Sequence, residues 1–239
     1  MEVAVRFLSP IHDLRSLLLS VSLLSLVAGC GNSVSNHAAA RREGIDLFNQ
    51  HRFSDAAGAF STAVRENPRD TLSFYYLGEC YDRTGDNHRA IQSYRASLNA
   101  MPYSVHNARD KDFRATVIER LGAAIARSPT REQEINELER RAEQNRSPLD
   151  FFLLARIHAS AGDADSAIDA YNRARLLDGK DFQIARSYGL WLEKIGQTNA
   201  AVPVLTAANQ LNPQDAQVAD ALRRASVGAP APSVRAPAD

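Results

Sequence analysis

Apolar positions in this chain recur at helical spacing, and the recurrence itself repeats. Ala56, Phe60 and Ala63 are separated by four and three residues, which puts them on one helical face. Ala90, Tyr94 and Ser97 stand thirty-four residues further on. Ala167, Tyr171 and Ala174 repeat the pattern, and Ala201, Leu205 and Ala208 follow after another thirty-four. The first, second and fourth of these series close on Pro68, Pro102 and Pro213, and the third on Gly179. A small residue opens a second helical series ahead of each: Gly44, Gly78, Ala155 and Gly189. Gly85, Gly162 and Gly196 fall between the two series, where a chain reversal needs them. The pattern predicts helical hairpins in which a small residue on the first helix lets the second approach closely. A fixed period of this length is the signature of a stacked repeat.

The second unit reads Phe74, Leu77-Gly78, Tyr81, Gly85, Ala90, Tyr94, Pro102, and it resembles the tetratricopeptide repeat (TPR). The resemblance covers most of residues 37–224. It implies an all-α fold, a right-handed superhelix (α-solenoid) of about five helical hairpins with a short C-terminal capping helix. The units fall at 37–70, 71–104, a divergent 105–147, 148–181 and 182–215, with a cap at 216–224. Pro203 is expected in the first turn of its helix, where its missing N–H is tolerated.

The middle unit departs from the pattern. Phe113, Val117, Leu121 and Ile125 give one apolar face, and Ser128-Pro129 breaks that helix. Thr130 and Gln133 resemble a capping box opening a second helix, with Ile135, Leu138 and Ala142 inward. Glu134 stands where the other units carry an alanine, and about ten additional residues, Tyr103 to Asp112, precede the unit as a helix extension or a loop. Val218 and Leu222 mark the inward face of the cap. Residues 225–239, rich in alanine and proline, are expected to be disordered.

Ahead of the repeats, Leu17 to Val27 is free of charge and proline, too short to span a bilayer and suited to the core of a signal peptide. It runs into Leu26-Val27-Ala28-Gly29-Cys30, which resembles the bacterial lipobox. That resemblance implies a signal peptide over 1–29, acylation of Cys30 (a palmitate-type modification), and a short tether at 30–36. It also implies a cell-envelope protein facing the periplasm. With Gly31 rather than aspartate after Cys30, it implies the outer membrane where the host has two.

Charge narrows the function classes. The 239 residues carry 28 Lys and Arg against 28 Asp and Glu, so no global field attracts DNA or RNA and nucleic-acid binding is not expected. Cys30 and Cys80 are the only cysteines. With Cys30 acylated no internal disulfide can form, and Cys80 is expected to be a buried, inert thiol. The six histidines show no metal-ligand spacing, and HExxH, GxSxG, Walker and GxGxxG motifs are absent. His158 is expected to pack in its hairpin. No catalytic residue, metal site or cofactor is predicted, and the chain is read as a non-enzyme.

In the TPR family the first helix of each hairpin lines a concave groove that holds peptides. The register places Arg41, Arg42, Ile45, Phe48 and Asn49 there, followed by Tyr75, Tyr76, Glu79, Asp82 and Arg83. Glu119, Arg120 and Arg127 come next, then Phe152, Leu153 and Arg156, then Arg186, Leu190, Glu193 and Lys194. Cations outnumber carboxylates on this face, which suggests a protein partner offering an extended or helical segment of acidic character. Tyr75, Tyr76 and Phe152 would anchor it. The competing reading is that the arginines only solvate helix faces, and that Tyr75 or Phe152 packs between hairpins. Ile45 and Tyr76 occupy the places of the asparagines that grip chaperone tails in related co-chaperones, so no C-terminal carboxylate ligand is expected. The expected function is a lipid-anchored scaffold or adaptor for protein partners, assisting assembly of an envelope complex. A self-associating structural lipoprotein, or a docking module for an envelope enzyme, is the alternative. No residue selects a pathway or an oligomeric state.

Overall fold

The computed structural model describes residues 36–102 and 108–228, and among them the chain forms eleven helices and no strand. The acylation site Cys30, the signal segment, the tether through residue 35, Tyr103 to Asn107 and the chain beyond Gly228 lie outside the described residues; residue 36, expected in the tether, opens α1. Helix α1 covers 36–49. It is followed by α2 (Phe53–Glu66), α3 (Thr71–Thr84), α4 (Asn87–Ala100), α5 (Ala108–Ala126) and α6 (Arg131–Asn145). The remainder are α7 (Pro148–Ala161), α8 (Ala164–Leu177), α9 (Phe182–Lys194), α10 (Thr198–Leu211) and α11 (Ala216–Gly228).

Local chemistry sets the helix ends. Asp70, Asp86, Asp163, Asp181 and Asp215 each accept a hydrogen bond from a backbone N–H in the first turn of α3, α4, α8, α9 and α11. Ser147 does the same for α7. Gly85 and Gly162 end α3 and α7 in the left-handed conformation, at φ 82° and 83°. His51 occupies the corresponding place after α1 and is held at φ 61°, a conformation that disfavours a side chain. Replacing His51 with glycine should therefore raise the unfolding free energy by about 0.5–1 kcal/mol. A urea midpoint that falls instead would show that the His51 ring, 5.8 Å from Phe53, contributes more than the strain.

Packing follows the predicted small-against-large rule in three hairpins. A Cβ on Gly44 would lie 2.7 Å from the Phe60 ring, one on Gly78 2.6 Å from Tyr94, and one on Gly189 2.7 Å from Leu205. Those three partners, with Tyr171 opposite Ala155, are fully buried. The helices thus approach to ring thickness, and an all-α stack of TPR-type hairpins results.

At mid-chain the stack changes. Helix α5 packs chiefly on α4 and α7 and reaches α9, whereas it barely meets α6; α6 lies against α7 instead. The geometry explains why: Gly122 faces not its own hairpin partner but α7, where a Cβ would sit 2.7 Å from Cβ of Arg156 and 3.1 Å from its carbonyl carbon. Glu134 takes no inter-helix place on α5; it pairs with Arg95 of α4. Helix α7 is consequently covered by α5, α6 and α8, and Phe151 through Ala155 are all buried. A helix apolar all round belongs in an interior.

Four further expectations are corrected. Thr130 makes no side-chain cap bond; Ser128 Oγ accepts from the Thr130 N–H, so no capping box forms. Pro203 is not in the first turn: α10 begins at Thr198, five residues earlier, and the ring leaves the Asn199 carbonyl without its helical donor. Helix α11 continues past 224, since Ala225 is fully buried and anchors another turn. Inward positions of α11 are Val218, Ala221 and Ala225, with Leu222 only half-buried. From the additional residues before the middle unit, 108–112 extend α5.

Candidate docking surface

Among the described residues, two hydrophobic cores share the molecule. A small one holds Ala56, Ala57, Phe60, Leu77 and Cys80, and a larger one runs from Ala90 to Ala225. Between them lies a row of half-buried rings on the first helices of successive hairpins. Phe48 on α1 meets Tyr76 on α3 at 5.2 Å, Tyr76 meets Tyr75 at 5.5 Å, and Tyr75 meets Phe113 on α5 at 5.4 Å. Phe53 of α2 extends the row beyond Phe48 at 5.3 Å. All five retain partial exposure. Rings held edge to face gain from their quadrupoles and lose little entropy when a ligand covers them.

The sequence-derived groove residues divide sharply. Phe48, Tyr75 and Tyr76 belong to the ring row, and Arg83 lies over Phe53, 5.7 Å from its centroid. Arg41 ion-pairs with Asp70 at 3.1 Å. Arg42 is exposed and donates to the Ala38 carbonyl. Glu79 is buried; it accepts from Tyr94 Oη at 2.7 Å and pairs with Arg120 at 3.1 Å.

Residues further along are not brought to this surface. Phe152 is only 1% exposed and packs against Tyr171, so it offers nothing to a ligand. The cause is α5, which covers α7. Arg156 turns inward: its guanidinium donates to Tyr171 Oη at 3.2 Å, and its Nε is buried with no hydrogen-bond partner among the described residues. Arg186 pairs with Asp215 at 3.1 Å, Leu190 is half-buried against the larger core, and Lys194 is exposed at the end of α9.

Carboxylates answer four of the eight expected groove cations: Arg41, Arg120, Arg127 and Arg186. Arg127 pairs with Asp82, Arg224 with Glu193, and Glu119 accepts from Ser187. Two of these links were legible in advance but missed: Arg41–Asp70 and Arg186–Asp215 share one spacing of 29 residues, set by the helix-capping aspartate of the next unit. Phe53 and Phe113 were missed as row members, because helical periodicity marks Phe113 as apolar without saying how far it is covered.

Chemistry beyond binding finds little material here. Among the described residues, no group of three or more His, Cys, Asp or Glu could hold a metal ion. His158 sits beside Asp163, its Nδ1 3.2 Å from the carboxylate. Cys80 is fully buried, and burial, helped by the nearby Glu79 charge, pushes its thiol up to about 12. In a Cys30→Ser protein, a disulfide reagent at pH 8 should label Cys80 on the order of a thousandfold slower than the unfolded chain. Labelling within tenfold of that rate would show that α3 opens freely. Because an unfolded cysteine ionises near 9 and the folded one near 12, this group's contribution to stability is full below pH 9. It declines as pH rises through that window.

No curated protein matches the chain in sequence. Among solved structures, it is similar to TTC0263, a thermophilic TPR protein of Thermus thermophilus, at 18% identity and a TM-score of 0.48, covering 80% of this chain and 99% of that one. It is similar to YrrB, a TPR protein with an unusual peptide-binding site, at 15% identity and TM-score 0.38, covering 77% and 90%. MamA stands at 22% identity and TM-score 0.37, covering 73% and 96%. Residues 41–105, which span the first two hairpins and most of the ring row, match the tetratricopeptide repeat family.

Proposed function

We propose that this protein is a scaffold that holds a segment of a partner protein on the ring row of α1, α3 and α5, at the surface of a bacterial envelope membrane. The observation that carries the reading is the row itself. Half-buried rings packed edge to face across successive hairpins form a preorganised apolar surface rather than a closed core. The rest of the stack serves as a rigid body behind it, because α5 shuts the corresponding face of α7. Docking is therefore confined to the N-terminal half, a narrower site than the full-length groove expected from the register.

Membrane attachment rests on the lipobox-like sequence before the array. Acylation of Cys30 would confine the row to a thin layer and raise its effective concentration for membrane partners. Replacing Cys30 with serine should move the protein from the membrane to the soluble fraction and abolish palmitate labelling; retention with full labelling would refute the anchor.

Photo-crosslinking tests the docking site. A photoreactive amino acid at Asn49 or Arg83, both exposed beside the row, should give defined protein adducts in intact cells. The same group at Glu139, exposed on α6, should give none. Equal adducts at all three positions, or none beside the row, would sink the reading. Arg156 is unsuitable for this purpose, since a change there reports on the fold.

A further inference from the structure

We infer that the occupant of the ring row is an extended segment in which apolar side chains alternate with carboxylates. This rests on the docking reading above and adds the chemistry of the partner. The argument is one of orientation rather than net charge. Arg41–Asp70 and Arg120–Glu79 place the carboxylate behind and the guanidinium in front, whereas Arg52–Asp55, which flanks Phe53 at the end of the row, leaves both side chains open. In Arg41–Asp70 the arginine side chain is 34% exposed and the aspartate 3%. In Arg120–Glu79 the figures are 48% and 6%.

The carboxylates are fixed in that position by other donors. Asp70 accepts from the N–H and hydroxyl of Ser73, and Glu79 accepts from Tyr94 Oη. A guanidinium carries five N–H donors, so a single carboxylate leaves others directed elsewhere. Arg83 adds a third cation, exposed and with no carboxylate contact among the described residues. Asp82, the more open acid on α3, is taken up by Arg127.

These two neutral pairs thus present their positive ends outward on the helices that carry the rings. An incoming carboxylate meets N–H donors that are already ordered, and the buried acids behind prevent mutual repulsion of the arginines. A basic segment would meet no exposed acid in these pairs. Apolar side chains between the carboxylates would cover Tyr75, Tyr76 and Phe48.

Fluorescence anisotropy with synthetic peptides tests this on the Cys30→Ser protein. The probes are peptides of roughly twelve residues, long enough to cross several strand-like repeats, alternating leucine with aspartate, asparagine or lysine. The aspartate peptide should bind at least about tenfold more tightly than the other two. Its affinity should fall by a similar factor when salt is raised from about 50 to about 300 mM. Arg83→Glu should weaken it about tenfold with an unchanged unfolding midpoint. If the asparagine peptide binds as well as the aspartate one, or Arg83→Glu has no effect, the acidic preference is wrong while docking on the row stands. If no peptide binds and the cellular crosslinks at Asn49 and Arg83 are also absent, the docking reading itself fails.

Discussion

Tyr171→Ala should lower the unfolding free energy by about 3–5 kcal/mol, the range for removing a fully buried aromatic ring. The ring is 0% exposed and stacks on Tyr188 at 4.6 Å, with Trp191 at 5.8 Å and Phe152 at 6.1 Å. Its hydroxyl stands between Ser187 and Arg156, at 3.3 and 3.2 Å. Truncation opens a cavity where α7, α8 and α9 meet and strips the Arg156 guanidinium of its hydroxyl partner. Trp191 is the only tryptophan, so its fluorescence in urea reports the loss at the site itself. Tyr171→Phe keeps the ring and removes only the hydroxyl, and should cost about 1–2 kcal/mol. If alanine costs no more than phenylalanine, the ring does not fill the space assigned to it.

The second large effect belongs to Gly122→Val. A Cβ there would fall within 2.7 Å of Cβ of Arg156 and 3.3 Å of the Ile157 nitrogen. Two of its three near neighbours are backbone atoms, which cannot swing aside as a side-chain tip would. Helix α5 must therefore lift from α7, at about 1–3 kcal/mol or more, exposing Phe152 and Leu153 as it moves. Enhanced binding of a hydrophobic dye would accompany the drop in urea midpoint. Gly58→Ala is the internal contrast. That helical glycine has nothing within 4 Å of its Cβ position, so alanine should stabilise by about 0.5–1 kcal/mol. Equal effects of opposite expectation at the two sites would contradict the placement of α5.

Much of the fold could be read from residue spacing because its contacts are local. Gly78 and Tyr94 lie sixteen residues apart within one hairpin, so the small residue and the ring that fills its place occur in the same short stretch. Turn glycines and capping aspartates likewise act on neighbours. The ring row of the candidate surface was legible in part for the same reason: the places of Phe48, Tyr75 and Tyr76 on their helices follow from helical register. Phe152 follows from the same register and is buried all the same, because its exposure depends on a helix some thirty residues away.

Glu79 and Arg156 occupy matching places in their hairpins, beside Tyr94 and Tyr171. The opposite charges that act on them, Arg120 paired with Glu79 and Glu119 near Arg156, are adjacent residues on α5. Arg120 pairs toward α3, and Glu119 toward α9 through Ser187. One helix therefore joins the N-terminal hairpins to the C-terminal ones through opposite charges, which no single repeat unit reveals.

By itself the sequence determined the helices, the ends set by capping aspartates and turn glycines, the hairpin partners in the regular units and the aromatic content of the N-terminal face. Periodicity and neighbouring residues suffice for those. Only the tertiary structure decided that α5 turns Gly122 to α7 rather than α6, that α7 becomes interior, and that the ring row is the part of the face left open. The physical reason is competition: a glycine permits close approach to any helix, and which helix takes the place depends on packing distributed over the whole stack.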